Sequence, residues 1–434
     1  MFMIVMLLGM VICGVHLAFS LFFLALVFGL IFQGPTIFPM AMFKFFGTME
    51  SEILIAVPLF VFMGTILEKS EVAEGVYQSL YELFGKVRGG LAFATIITCT
   101  IFASCTGVIA ATVTTMTLLA VPSMLKRDYD KGLATGVVCA GGSLGILIPP
   151  SVMLVMYGPM ANLSVAQLFA AALMPGLLLS VLYMIYIALA AWLKPEMAPA
   201  IGGDEQIKRG PEVWIRAAKM MVPSFILILC VLGGIIAGVV SPTEASGAGA
   251  AAAMIIAAAY RKLTFKAVRD AAHTTLIVTS MVFFIIMGAA IFNSVFLYLG
   301  GGDVIKSVLM SMPGGQWFVL FVMMFILFIL GFFISWQGLL YVVVPIFLPV
   351  AVNLGFNPLW FGLLICLNLQ MSFLTPPFAY SIFFVKGAAP PEVKTVDIYR
   401  GVIPFVILQA VAVFLCVVFP EIILWLPRIT LGTS

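Results

Sequence analysis

Charge is what this sequence has least of. Only 9% of its 434 residues are Asp, Glu, Lys or Arg, and it has two histidines. An ordinary soluble domain carries roughly 25% charged residues. No stretch between Met1 and Trp425 stays polar for longer than a loop, which excludes a soluble fold. The net charge of +3 is spread over loops and implies no nucleic-acid partner. The seven cysteines lie inside apolar segments and never at C-x-x-C spacing, so neither a disulfide framework nor a metal cluster is expected. His16 and His273 stand far apart, and packing or interface roles are expected for both. There is no Walker A motif, Rossmann glycine pattern, H-E-x-x-H or G-x-S-x-G in a credible context, and no acid–base or nucleophile constellation. No enzyme activity, ATP hydrolysis or organic cofactor follows from this sequence. No charge precedes Lys44, so the positive n-region of a cleavable signal peptide is missing. That first run reads as membrane-embedded, either one long helix or two short ones broken near Gly14-Val15-His16.

What is there is apolar: 63% of the residues are hydrophobic, in runs that recur along the whole chain. In a bilayer every backbone N–H and C=O must be satisfied within the protein, so the spans are helices of about 20 residues. The fold class is therefore all-α and polytopic. Lys and Arg cluster at 86–88, 126–131, 194–219, 261–269 and 386–400, and are absent from 158–172, 240–243 and 351–358. The positive-inside rule places the first set in the cytoplasm and the second outside. Segments 132–157, 173–193, 220–240, 244–259, 275–299 and 359–384 each cross between opposite sides. Two segments of about 35 residues do not. Residues 90–125 leave and return to the cytoplasmic side, and 316–350 leave and return to the outside. Each is expected to be a re-entrant helical hairpin.

The two halves repeat. Phe60-Val-Phe-Met-Gly64 matches Phe284-Ile-Ile-Met-Gly288, and Gly89-Gly90 matches Gly314-Gly315. The hairpin midpoints read Ser104-Cys-Thr-Gly107 and Ser335-Trp-Gln-Gly338. Pro122 and Pro349 each precede a Pro-Pro pair by 27 residues, Pro149-Pro150 and Pro376-Pro377. With the opposite topologies given by the loop charges, this is an inverted repeat. In transporters, sites lie where such repeats meet near the membrane midplane. The expected layout is N-terminal membrane helices over 1–50, a first repeat over 51–193 and a cytoplasmic loop over 194–219. Helices over 220–274, a second repeat over 275–400 and a C-terminal helix over 401–434 complete it.

Gly141-Gly-Ser-Leu-Gly-Ile-Leu-Ile-Pro-Pro150 should unwind a helix inside an apolar span. Unwound carbonyls need a polar partner there, and a hard cation such as sodium prefers oxygen ligands. One sodium site is expected between Ser104, Thr106 and Gly107 and the stretch containing Gly142, Gly145 and Pro149. The second is expected between Ser335 and Gly338 and the stretch containing Ser372, Thr375 and Pro376. The alternative is a pair of kinked helices packed through Gly and Pro. No Lys or Arg lies at the centre of a span, so helix N-termini at the hairpin turns are the expected holders of an anionic substrate. Ser104, Thr106, Thr112, Thr114, Gln337, Asn368 and Gln370 are the candidate polar contacts, with helix–helix hydrogen bonding as the plainer role. Ser241-Pro-Thr-Glu244 has the form of a capping box opening a helix. Residues 67–88 and, more weakly, 302–313 have the pattern of amphipathic helices at the two interfaces.

The motifs Gly141–Ser151, Ser241-Pro-Thr-Glu-Ala245, Leu374-Thr-Pro-Pro377 and Leu426-Pro-Arg428 together resemble the large membrane subunit of the tripartite ATP-independent periplasmic (TRAP) transporters. The resemblance implies an elevator-type transporter with scaffold and transport domains in the bacterial inner membrane. It implies Na+ as coupling ion, a small four-helix membrane subunit and a periplasmic substrate-binding protein. It implies organic-anion substrates of the C4-dicarboxylate, keto acid or sialic acid class, and sodium at the two sets of residues named above. Trp336 and Gln337 depart from the pattern, since a small polar residue is expected in that turn. A stand-alone sodium–carboxylate symporter of similar hairpin architecture is the other transporter reading. A channel or passive scaffold is the reading from a different class.

Overall fold

The computed structural model describes residues 2–70, 72–85, 87–107, 109–200, 211–377 and 379–432, and every regular element among them is helical. Of the two readings of the N-terminal run, the broken one is realised, as α1 (Phe2–Ile12) and α2 (Leu17–Gln33). His16 tidies the break, because its ring nitrogen accepts from the Ala18 N–H and caps α2. After α3 (Ile37–Met49) come α4 (Ala56–Lys69), α5 (Val72–Phe84), α6 (Gly90–Thr106) and α7 (Ile109–Leu125). Then follow α8 (Lys131–Ser143), α9 (Val152–Ala161) and α10 (Val165–Leu193). A pair, α11 (Pro211–Ile236) and α12 (Pro242–Ala259), leads to the second half. That half holds α13 (Phe265–Tyr298), α14 (Gly301–Met310), α15 (Gly315–Leu330) and α16 (Trp336–Asn353). It ends with α17 (Pro358–Leu374), α18 (Tyr380–Ala388), α19 (Thr395–Val418) and α20 (Glu421–Leu431).

The order of α4 to α10 is repeated by α13 to α19. Each repeat has an opening helix, an amphipathic helix, two hairpin arms, a helix broken at Pro-Pro, and a closing helix. The helical parts differ from the expected boundaries in several places, among them α10, which starts at Val165 inside the stretch expected to be an outside loop. Residues 67–69 finish α4, so the first amphipathic helix is α5 alone. Helix α11 starts at Pro211, inside the stretch expected to be loop. Helix α13 starts at Phe265. Helix α19 starts at Thr395, and as the counterpart of α10 it belongs to the second repeat rather than to a separate C-terminal unit. The capping box stands as read: Ser241 Oγ accepts from Glu244 N–H at 3.2 Å, and the Glu244 carboxylate accepts from Ser241 N–H at 2.7 Å.

One matched motif is out of register. Ser104 and Thr106 lie in the last turn of α6 and Gly107 closes it in the left-handed region, φ 59°. Ser335 instead precedes α16, and Gly338 lies inside its first turn. The counterpart of Gly107 is Gly331, which closes α15. The second link, 331–335, is three residues longer than the first, 107–108. This lengthening, and not a Ser-x-x-Gly equivalence, shifts the repeat offset to the 227 residues that separate both proline pairs.

Why the helices break is chemical. Proline has no N–H and its ring collides with the carbonyl four residues back. Two in a row follow α17 directly and α8 after a tighter turn at Leu144–Ile146, and the Pro149–Pro150 and Pro376–Pro377 peptides are both cis. Beyond the breaks the repeats exchange partners. Helix α9 packs on α16, the second hairpin, and α18 packs on α7, the first. Helix α4 likewise packs on α12, and α13 on α2. The hairpins and broken helices therefore form one interlocked body. Ser143 and Gln370, which are repeat counterparts, meet at 3.5 Å, as residues do on a pseudo-two-fold axis. Close approach is secured by glycine: a Cβ on Gly401 of α19 would land on the Gly132 backbone of α8.

Candidate functional site

Two chambers run one into the other between α4, α7 and α13, sharing Val61, Ala110 and Val278 in their walls. The inner, of about 160 Å³, lies where the hairpins and the breaks meet. Ile109 and Ala110 open α7, Val152 opens α9, Trp336 and Gln337 open α16, and Tyr380 opens α18, and all of them line it. Four helix N-termini thus converge on one cavity. Side chains cap the starts of α8, α12, α13 and α17, through Asp130, Ser241, Thr264 and Asn357, but not those of α3, α4, α6, α10, α14, α15 and α20. The starts of α9, α16 and α18 have no side-chain cap. Each N-terminus carries roughly half a positive charge on its N–H groups, and no Lys or Arg lines the inner chamber. Ala379 turns the chain into α18 from the left-handed region, φ 36°, which few residues with a Cβ adopt.

The outer chamber, of about 250 Å³, is polar: Thr65, Glu68, Lys69, Thr106, Thr114 and Thr274 line it. Thr106 Oγ1 lies 3.0 Å from Thr112 Oγ1, a hydrogen bond across the first hairpin turn. Gly64 of α4 touches that turn so closely that a Cβ would sit 2.5 Å from Thr106 Cα. Lys69 at the chamber mouth is exposed, and α4 ends there on the side marked by the basic loops.

Around the second break is a smaller void of about 10 Å³, enclosed by Gly331, Ile334, Trp336, Leu369, Ser372, Phe373 and Tyr380. It has room for a single water-sized particle. The hydroxyls of Ser372 and Ser335 are both buried without a hydrogen-bond partner. A Cβ on Gly331 would land on Ser372 Oγ, so glycine keeps this void open. A small cation with oxygen ligands fits that setting. At the first break, Pro149 and Pro150 remove the helical donors of the Gly145 and Ile146 carbonyls. Ser151 Oγ supplies one to Ile146. The turn at Gly107 lies against it, a Cβ there being 3.2 Å from the Pro150 carbonyl oxygen. Helix α6 packs on Leu144–Ile146.

Several candidate residues are placed elsewhere. Asn368 donates to the Met324 carbonyl at 2.6 Å and lines a separate apolar groove between α15, α17 and α19. Its amide ties a hairpin arm to a broken helix and lies outside both central chambers. Ser104 Oγ bonds back to Thr100 O at 3.0 Å and Thr375 Oγ1 to Met371 O at 2.7 Å, the habit of Ser and Thr in apolar helices. Gly338 is pressed on Leu17 of α2. Gln370 meets Ser143, which in turn lies 3.5 Å from Gln409, itself bonded to Tyr183. Sequence reasoning missed Gly331, Trp336, Phe373 and Tyr380. The repeat register would have found Gly331, had the proline offset been applied to α16 and the glycine offset to α15.

Fold and site together define a multi-pass membrane permease built from inverted repeats. The model of the family described as "Tripartite ATP-independent periplasmic transporter, DctM component" matches residues 1–422, and the chain belongs to that family. The C4-dicarboxylate TRAP transporter large permease protein of Vibrio cholerae is 30% identical, over 99% of this chain and 97% of its own length. The sialic acid large permease of the same organism is 29% identical, over 98% and 97%. The ectoine/5-hydroxyectoine large permease of Ruegeria pomeroyi is 30% identical, over 86% and 85%. These relatives are permeases and not enzymes. Among solved structures, the YdaH transporter of Alcanivorax borkumensis aligns with a TM-score of 0.65 over 96% of this chain and 99% of its own. At 13% identity that likeness concerns the fold alone.

Proposed function

We propose that this chain is the sodium-coupled, moving permease of a TRAP transporter. It imports small organic anions across the bacterial inner membrane beside a small four-helix subunit, with substrate delivered by a periplasmic binding protein. The observation that carries this is the convergence of four helix N-termini, three of them without a side-chain cap, on one cavity. Half-charges hold an anion but leave it poorly compensated in a low-dielectric interior. Sodium ions at the two breaks, held by Gly145 and its neighbours and by Ser372, supply the missing charge next to the same N-termini. Anion and cations then stabilise one another, which is what coupling requires. Interlocked hairpins and broken helices favour motion as one body against α2, α4, α12 and α13, an elevator stroke.

The test is uptake of radiolabelled organic acids into proteoliposomes holding the chain and its small subunit. Under an inward sodium gradient, accumulation is expected only when the binding protein is added. Accumulation indifferent to that protein would establish the stand-alone symporter. Equilibration without accumulation, at any sodium gradient, would establish a channel.

A further inference from the structure

We infer that the preferred substrate is a monocarboxylate with a compact apolar body, aromatic or branched, and neither a dicarboxylate nor a polyhydroxylated acid. This rests on the anion-transport reading above and narrows it. Relatives at nearly one level of identity carry names for C4-dicarboxylate, sialic acid and ectoine, so kinship does not choose among them. The chamber does.

Much of the chamber is an aromatic wall, part of it carried by the helix starts themselves, since Trp336 opens α16 and Tyr380 opens α18. Phe373 and Tyr380 have ring centres 6.3 Å apart, Tyr380 stacks on Phe384 at 6.1 Å, and Trp336 completes the wall. Val61, Ile146, Val278, Met281 and Val282 line the rest. Gln337, 6% exposed, is the chamber's polar side chain besides the Tyr380 hydroxyl and the Trp336 indole N–H, and its Oε1 has no hydrogen-bond partner. A substrate bearing many hydroxyls would leave most of them unpaired here, which is costly in a buried site. A second carboxylate fares no better. No Lys or Arg lines the inner chamber, and in the outer chamber Lys69 stands beside the carboxylate of Glu68. One carboxylate at the N-termini with a hydrophobic body against the aromatic and aliphatic lining matches the charge and the apolar surface of the chamber.

Binding can be read on the full-length chain, co-purified in detergent with its small subunit, by tryptophan fluorescence and by thermal unfolding. The probes are phenylacetate, 4-methyl-2-oxopentanoate, succinate, isethionate and N-acetylneuraminate, each with sodium and with choline as replacement. The two apolar-bodied acids should bind roughly tenfold or more tightly than the other three, the range that pocket fit supplies. Their fluorescence change should vanish in Trp336→Phe, which assigns it to the inner chamber. In Phe384→Asn the margin over N-acetylneuraminate should shrink. Equal or tighter binding of succinate or N-acetylneuraminate would overturn the inference, as would sodium-dependent stabilisation with no probe binding. Loss of the sodium effect itself would strike at the transport reading and not at this one alone.

Discussion

The two hairpins have the same ancestry of pattern and opposite surroundings. The first turns in two residues, and its tip, Thr106, rests on Gly64 of α4 beside a chamber of about 250 Å³. The second turns in five, encloses a void of about 10 Å³ at Ser372, and presses Gly338 onto Leu17. Gly288 is the repeat counterpart of Gly64, yet a Cβ on it would meet Phe22 and Ala18 of α2 and not the tip of the second hairpin. An inverted repeat that is symmetric in sequence but asymmetric in contacts occupies one of two exchangeable arrangements. Here the polar chamber lies on the side of the basic loops.

The largest expected effect tests that asymmetry. Gly64→Ala forces a Cβ against the Thr106 backbone, an overpacking that costs about 1–3 kcal/mol. A bias of that size shifts a two-state equilibrium roughly 5- to 150-fold. Labelling of a cysteine at Thr114 from the cytoplasmic side should fall accordingly, and uptake with it. Gly288→Ala, which meets only side-chain atoms at 3.0 Å or more and one carbonyl, should shift labelling far less. Equal effects would mean that the contact difference is incidental.

The next tests the voids. Gly331→Ala fills the small chamber at Ser372 and should abolish most of the sodium-dependent rise in Tm, with folded yield retained. Gly145 and Thr375 variants should likewise lose sodium activation of uptake more than they lose folded protein. If all three keep wild-type sodium dependence, the sodium assignment is wrong. Sidedness gives a third test without an energetic effect. In chains otherwise free of exposed thiols, Asp128→Cys should react only from the cytoplasm and Asn353→Cys only from outside.

Much of the fold was legible because the bilayer imposes it. Scarce charge, loop basicity and proline pairs mark spans, sides and breaks, and each is enforced by a large local penalty. The register of the hairpins was not. Ser-x-x-Gly is short enough to recur by chance, and α15, apolar from Trp317 to Leu330, carries no internal marker to reveal the longer link. Residues at the breaks and turns were legible where backbone chemistry marks them, as at Gly107, which closes α6 in the left-handed region. They were hidden where ordinary aromatic residues acquire a role through convergence, as with Trp336, Phe373 and Tyr380. Asn368 was misplaced for a related reason: a buried amide in a membrane helix looks alike whether it serves a ligand or a neighbouring carbonyl.

The smallest expected effect concerns the axis between the repeats. Ser143 and Gln370 stand 227 residues apart in sequence and 3.5 Å apart in space, with Gln409 and Tyr183 completing a buried polar cluster. Each lies just before one of the Pro-Pro breaks, so the cluster joins the two proposed sodium loops. Gln370→Leu should cost about 1 kcal/mol, the net value of one buried hydrogen bond. Ser143→Ala should cost about the same on that scale. If the pair acts as one link, the double variant will cost less than the singles added together, and the dependence of uptake on sodium will lose steepness in all three. Strict additivity with unchanged steepness would show that the residues merely fill space at the axis. The two sodium loops would then have to communicate, if at all, through the substrate held between them.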